Sequence, residues 1–176
     1  MYRRALIAIT LTACILATAT ACIPTSHTRL RWAQCKVVWF DATSSRAAAG
    51  YIAEVSKITG LNLVAGTAGA AEDHRIYITD LHTNRRDLGG RTTSSTGTDG
   101  YTDYVLHAKV EILPGAPAGI WRHELGHLFN LAHNPGSELM RETPGRNATY
   151  SATEIAVMRN VAIRSGCGST IEFGGR

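Results

Sequence analysis

The chain has no run of basic residues, no basic patch interleaved with aromatics and no internal repeat. Its formal charge of +4 falls to about +2 if a leader carrying Arg3 and Arg4 is removed. That balance excludes a nucleic-acid-binding reading, which needs a clustered positive field. Nor is there an apolar stretch of the purity a membrane span requires. The best candidate, Ala5 to Ala21, is short and studded with threonine. A length of 176 residues suits one domain after processing.

What the amino terminus does contain is the pattern of an export signal. Met1-Tyr2-Arg3-Arg4 is positive, the apolar stretch follows, and Ala19-Thr20-Ala21 supplies small residues for cleavage. Residues 1–21 are therefore read as a signal peptide, 22–31 as a polar tether and 32–176 as the functional domain. Ala-Thr-Ala followed by Cys22 resembles a bacterial lipobox, although Leu is commoner at the place of Ala19. Two readings of Cys22 stand: lipid attachment, and ordinary secretion with a thiol near the new terminus. The expected location is accordingly secreted, or lipid-anchored at the outer face of the bacterial cell membrane. Any membrane contact runs through that anchor alone.

The four cysteines sort by position. Cys14 leaves with the signal, Cys22 is the lipidation candidate, and Cys35 and Cys167 are left to pair in an oxidising compartment. Closing so long a loop contributes on the order of 4–5 kcal/mol in the chain-entropy model.

Apolar alternation and turn residues outline the domain. Strands are expected at Lys36–Phe40, Leu61–Val64, His74–Thr79 and Tyr104–Leu113. Leu81 to Asp103, rich in Gly, Thr and Ser, reads as a long irregular segment with an edge strand near Leu88–Ser94. Helices are expected over Ser44–Ile58, stopped by Gly60, and over about Pro117–Asn130. A third begins at Ser151, where Ser151 and Glu154 match a capping box. The fold class is α+β: a mixed, twisted sheet of about four or five strands with about three helices.

The most informative segment is His123-Glu124-Leu125-Gly126-His127-Leu128-Phe129-Asn130-Leu131-Ala132-His133. Residues i and i+4 share one helix face, so His123 and His127 can present two imidazoles to one metal ion. A catalytic zinc takes three protein ligands and keeps one position open. His133 can be the third only if the helix stops first and the chain doubles back, and Asn130 sits where that stop is required. Glu124 sits beside the first histidine within an otherwise apolar stretch, Gly119-Ile120-Trp121 before and Leu128-Phe129 after, where a buried charge is rare unless paired or functional. A glutamate third ligand from another helix fits poorly, because Glu154 is followed four residues later by Met158 rather than Asp.

This stretch resembles the signature of the metzincin metallopeptidases, H-E-x-x-H-x-x-G-x-x-H followed by a Met-turn. Here it reads HELGHLFNLAH and then NPGSELM, so Met140 matches the Met-turn methionine and Asn130 replaces the glycine. Asn tolerates the left-handed conformation better than most residues. The small matrixin-like domains are the nearest in pattern, over roughly residues 32–165. The resemblance implies one catalytic Zn2+ on His123, His127 and His133, a cleft under the edge strand, and Met140 packed beneath the ligands. It implies an endopeptidase acting on a peptide or protein substrate through a zinc-bound water activated by Glu124. Glu142 occupies the place of the tyrosine ligand of some members, so none is expected. A rival role for Cys35, an inhibitory zinc ligand, lacks the neighbouring residues of that motif. Ca2+ is a secondary expectation: Asp80, Asp87, Asp99 and Asp103 flank the Gly-rich segment, but their spacing matches no recognised calcium loop. A monomer is expected. Two other functions share these residues: a non-catalytic zinc-binding surface lipoprotein, and an amide hydrolase acting on cell-wall peptides.

Overall fold

The computed structural model describes residues 31–32, 36–67, 75–85, 88–98 and 103–164. Cys22, Cys35 and Cys167, and with them the disulfide and lipidation readings, lie outside those residues, as do the signal and most of the tether. Element order is β1 (Arg31–Trp32), β2 (Lys36–Asp41), α1 (Ala48–Thr59), β3 (Asn62–Ala65), β4 (Ile76–Asp80), β5 (Gly90–Thr98), β6 (Asp103–Ile112), α2 (Ala118–His127) and α3 (Ala152–Arg164). The α+β class holds, with a mixed sheet and three helices.

The sheet has six strands but is five wide. β3, β2, β4 and β6 run parallel in that spatial order, and β5 pairs antiparallel along β6 from Asp103 to Ile112. β5 takes one edge of β6, so β1 and β4 share the other in series. β1 meets Tyr104 and Val105, and β4 meets Ala108 to Ile112. β1 was not foreseen. It carries Trp32 into the core against Phe129, ring centroids 6.1 Å apart, and so supports the turn that follows α2.

Period-two alternation decides which side chains enter the core. Val37, Ile76, Ile78, Val105, Val110 and Ile112 are buried from the sheet. They belong to one cluster with Ile52 and Val55 of α1, Trp121 and Leu125 of α2, and Met158 and Val161 of α3. α1 packs against both other helices. Tyr51 stacks on Trp121 at 5.1 Å, and Arg122 pairs with Glu54 at 3.0 Å.

Helix α1 starts four residues later than the alternation suggested. The buried Asp41 carboxylate, at the end of β2, accepts the N–H groups of Thr43 and Ala48 at 2.8 and 3.0 Å and the Thr43 hydroxyl at 2.6 Å. Those bonds hold residues 42–47 in a turn and cap the helix from outside it. β5 is also longer than expected. Its Gly, Thr and Ser give little apolar signal, but the strand is held by its backbone ladder to β6, with a register shift between Ser95 and Thr96.

Candidate metal centre

Helix α2 carries His123 and His127 on one face and stops at His127. Beyond it the chain tightens: Leu128 N–H bonds Leu125 O, three residues back, and Phe129 and Leu131 N–H both bond Gly126 O. The helix thus ends three residues earlier than expected, and Asn130, at the far end of the tightened turn, has the left-handed φ of 65° that reverses the chain. The reversal returns His133 to the face carrying the other two histidines.

Three ring nitrogens converge there. His123 Nε2 is 3.1 Å from His127 Nε2 and 3.2 Å from His133 Nε2. The opposite nitrogens of the first two rings are committed: His123 Nδ1 lies 2.8 Å from Leu139 O, and His127 Nδ1 lies 2.6 Å from Leu131 O. A carbonyl only accepts, so each Nδ1 must be the protonated nitrogen, and each neutral ring keeps a lone pair on Nε2. Lone pairs facing one another at this separation repel unless a cation lies among them. Burial, the larger cause, holds His127 down at about 4 against the opposing Leu131 bond, and it lowers His123 despite the bond to Leu139. Both rings are thus kept in the neutral, ligating form. Among the described residues these three are the group that can hold a metal ion.

Backbone carbonyls that orient the rings are themselves braced. Ser137 Oγ accepts the N–H groups of Leu139 and Met140, at 3.0 and 2.7 Å, and donates to Glu154 Oε1 at 2.6 Å. Glu154 is the capping-box residue: its other oxygen accepts Ser151 N–H at 2.7 Å, and its own N–H bonds Ser151 Oγ at 3.3 Å. One buried carboxylate therefore ties the start of α3 to the turn carrying Leu139 and Met140. Met140 O accepts Asn134 N–H at 2.7 Å, beside His133. Met140 itself is buried against α2 at Gly126; a Cβ there would come within 3.2 Å of its sulfur. Met140 thus sits under the turn between His123 and His127.

Glu124 is only 5 % exposed. Burial raises its carboxyl to about 7, against the lowering effect of a hydrogen bond from Thr92. That hydroxyl, on β5, is 2.8 Å from Glu124 Oε2 and 2.9 Å from the Glu124 main-chain oxygen. Between α2 and β5 runs a cleft of about 240 Å³ containing all three histidines and Glu124. Leu88, Ile120 and Pro144 give it apolar walls, and Glu142 lies at its margin. The β5 edge away from β6 has no partner among the described strands.

No family model matches the chain, and no curated protein does either.

Of the residues singled out from sequence, His123, Glu124, His127, His133 and Met140 come together around this cleft. His82 and His107 are not part of it. The acidic set suggested for calcium is not gathered into a donor group among the described residues. Asp80 instead accepts Ser44 N–H at 3.1 Å, and Asp87 and Asp99 lie outside those residues. Thr92 was missed, because one threonine in a Thr/Ser-rich strand carries no signal in the sequence. The Ser137–Glu154 bond was missed too, although both halves were in view, Ser137 within the NPGSELM segment and Glu154 in the capping box.

Proposed function

We propose that the protein is an exported zinc-dependent endopeptidase of the metzincin type. The observation that carries the proposal is the convergence of three Nε2 atoms, two of them with their lone pairs fixed inward, beside the buried Glu124 carboxylate. A tetrahedral zinc with bonds of about 2.0–2.1 Å sets its ligand nitrogens roughly 3.3 Å apart. The separations of 3.1 and 3.2 Å fit that geometry. Imidazole nitrogens with backbone carbonyls behind them also suit zinc better than the hard cations that select oxygen ligands.

Zinc, when bound, supplies Lewis acidity, lowering the pKa of a water to near 7 and polarising a carbonyl. The remaining chemistry belongs to the chain. Hydrolysis consumes one water for each peptide bond: its oxygen ends on the acyl carbon, and the C–N bond breaks. Glu124 takes a proton from that water and delivers it to the leaving nitrogen. Burial disfavours the charged form of Glu124 and so makes it a stronger proton acceptor than an exposed glutamate, as both transfers require. The unpartnered edge of β5 offers N–H and C=O groups to an extended peptide, which favours an endopeptidase. Export rests on residues 1–22, with lipid attachment at Cys22 as its stronger form. Cell-wall peptides would be cut by the same residues, and substrate trials separate them from protein substrates.

The test is cleavage of casein by the purified, zinc-loaded protein beside Glu124→Ala, with a chelator control. The expected result is loss of about 10²–10⁴-fold in turnover with zinc still bound. Equal inactivity of both proteins on casein and on cell-wall peptides, with zinc bound, would favour the non-catalytic binding module. Failure to bind zinc would end the proposal.

A further inference from the structure

Glu124 must present one carboxylate oxygen to the reacting water in a fixed orientation, yet glutamate has three side-chain torsions. Something has to remove that freedom. On the helix side His123 and His127 flank it, but their ring nitrogens are directed to Leu139 O, Leu131 O, His133 and each other, and Leu125, Gly126 and Ile120 are apolar. Across the cleft, two residues of β5 meet it. Period-two alternation turns positions 90 and 92 of the strand toward α2. At position 92 a hydroxyl is 2.8 Å from Oε2. At position 90 there is no side chain, and an added Cβ would lie 2.5 Å from Glu124 Cγ and 2.8 Å from Oε1. The carboxylate occupies the volume that glycine leaves empty.

We propose that Thr92 is a positioning residue for the general base, with Gly90 providing the space in which it holds the carboxylate. The assignment rests on the peptidase reading of the site. Thr92 has one hydroxyl hydrogen and two acceptors within reach, Oε2 and the Glu124 main-chain oxygen. Donated to Oε2, it fixes the plane of the carboxylate, while Oε1 is the oxygen left for proton transfer. A serine in this place would do the same. A valine, equal in shape, would not.

A merely structural role is the competing account, since the bond to the main-chain oxygen alone straps β5 to α2. The experiment compares wild type, Thr92→Val and Thr92→Ser, all zinc-loaded, for kcat and KM on one peptide, for zinc affinity by chelator competition, and for melting temperature. The expected result is a kcat lower by about 10- to 100-fold in Thr92→Val, with KM and zinc affinity nearly unchanged, and recovery of most of kcat in Thr92→Ser. An unchanged kcat in Thr92→Val overturns the assignment. So does a loss shared equally by the serine variant, or one that follows melting temperature alone. If wild type cleaves nothing while holding zinc, the peptidase reading is what fails. Positioning is then judged from crystal structures of the variants, where a carboxylate that keeps its pose in Thr92→Val overturns it.

Discussion

His123 and His127 are each fixed from behind by a backbone carbonyl, whereas Glu124, on the same helix, is held by one hydroxyl from across a cleft. His123 is buried and cross-braced, with Leu139 O on its ring, Ser137 under Leu139, Glu154 under Ser137 and the first turn of α3 under Glu154, whereas His127 is half-buried and His133 exposed. The β5 side is a strand of Gly, Thr and Ser whose place depends on its ladder to β6 and whose outer edge has no partner among the described residues. The difference follows from what each side must do. Under the proposed function, a metal site loses affinity with every ligand left free to move, which a core support of the His123 ring would prevent. A base would have to face a cleft that a substrate enters, so its support would come from a wall that the substrate also lines.

If this division is right, damage to the two sides separates into different measurements. The largest effect is expected from Gly90→Ala. The new methyl falls on Glu124 Cγ, which has to shift, and displacing a catalytic group by about 1 Å can cost on the order of 10²-fold in turnover. Zinc affinity should change less than about twofold, and stability little, because the obstructing atoms belong to a side chain that can swing away. Turnover and chelator competition on the same preparation check this. A variant that loses zinc as well would show that the two walls are not independent.

Ser137→Ala should do the reverse. It leaves the Leu139 and Met140 N–H groups and one Glu154 oxygen without their partner, and so loosens the carbonyl that orients His123. Loss of such outer support typically weakens metal binding by about 10–100-fold. With saturating zinc, kcat should return close to the wild-type value, and Ser137→Thr should restore affinity. A kcat that stays low at saturating zinc would place Ser137 among the groups that govern turnover and erase the contrast with Thr92.

How far the sequence exposed these parts depended on how local each one is. The ligand spacing, the left-handed Asn130, the Ser151–Glu154 cap and the alternation of β2, β4 and β6 all lie within one helix turn or one strand, and each was legible. β1 was not, since two residues carry no period and Trp32 is placed by contact with Phe129, nearly a hundred positions away. The start of α1 was misplaced because its cap, Asp41, belongs to the preceding strand. Thr92 and Gly90 were hidden for a related reason. Their meaning lies in the Glu124 side chain, 32 positions beyond Thr92 and 34 beyond Gly90, brought opposite them only when β5 joins the sheet.

The other face of β5 provides the mildest test. Arg91 points away from α2 and stands directly across from Glu111 of β6, bonding it through Nε at 2.8 Å, while Lys109 reaches the other carboxylate oxygen at 3.0 Å. Burial alone would raise the Glu111 carboxyl, but the Lys109 and Arg91 hydrogen bonds outweigh it and hold it below its ordinary value. A carboxylate depressed in the folded state stabilises fully above its unfolded pKa and loses that contribution as pH falls through the folded one. Arg91 and Lys109 are about half exposed, so solvent screening limits the whole network to at most about 1 kcal/mol. Glu111→Gln should therefore lower the melting temperature by roughly 2–4 °C at most at pH 7. The gap from wild type should close as pH falls below about 4.5, where glutamine and protonated glutamate become equivalent. Turnover should not change, because the network lies on the sheet face opposite Glu124. A gap that persists in acid would assign the effect to packing. A fall in turnover would mean that β5 carries strain from one face to the other, and that its hold on Glu124 depends on more than Thr92 and the β6 ladder.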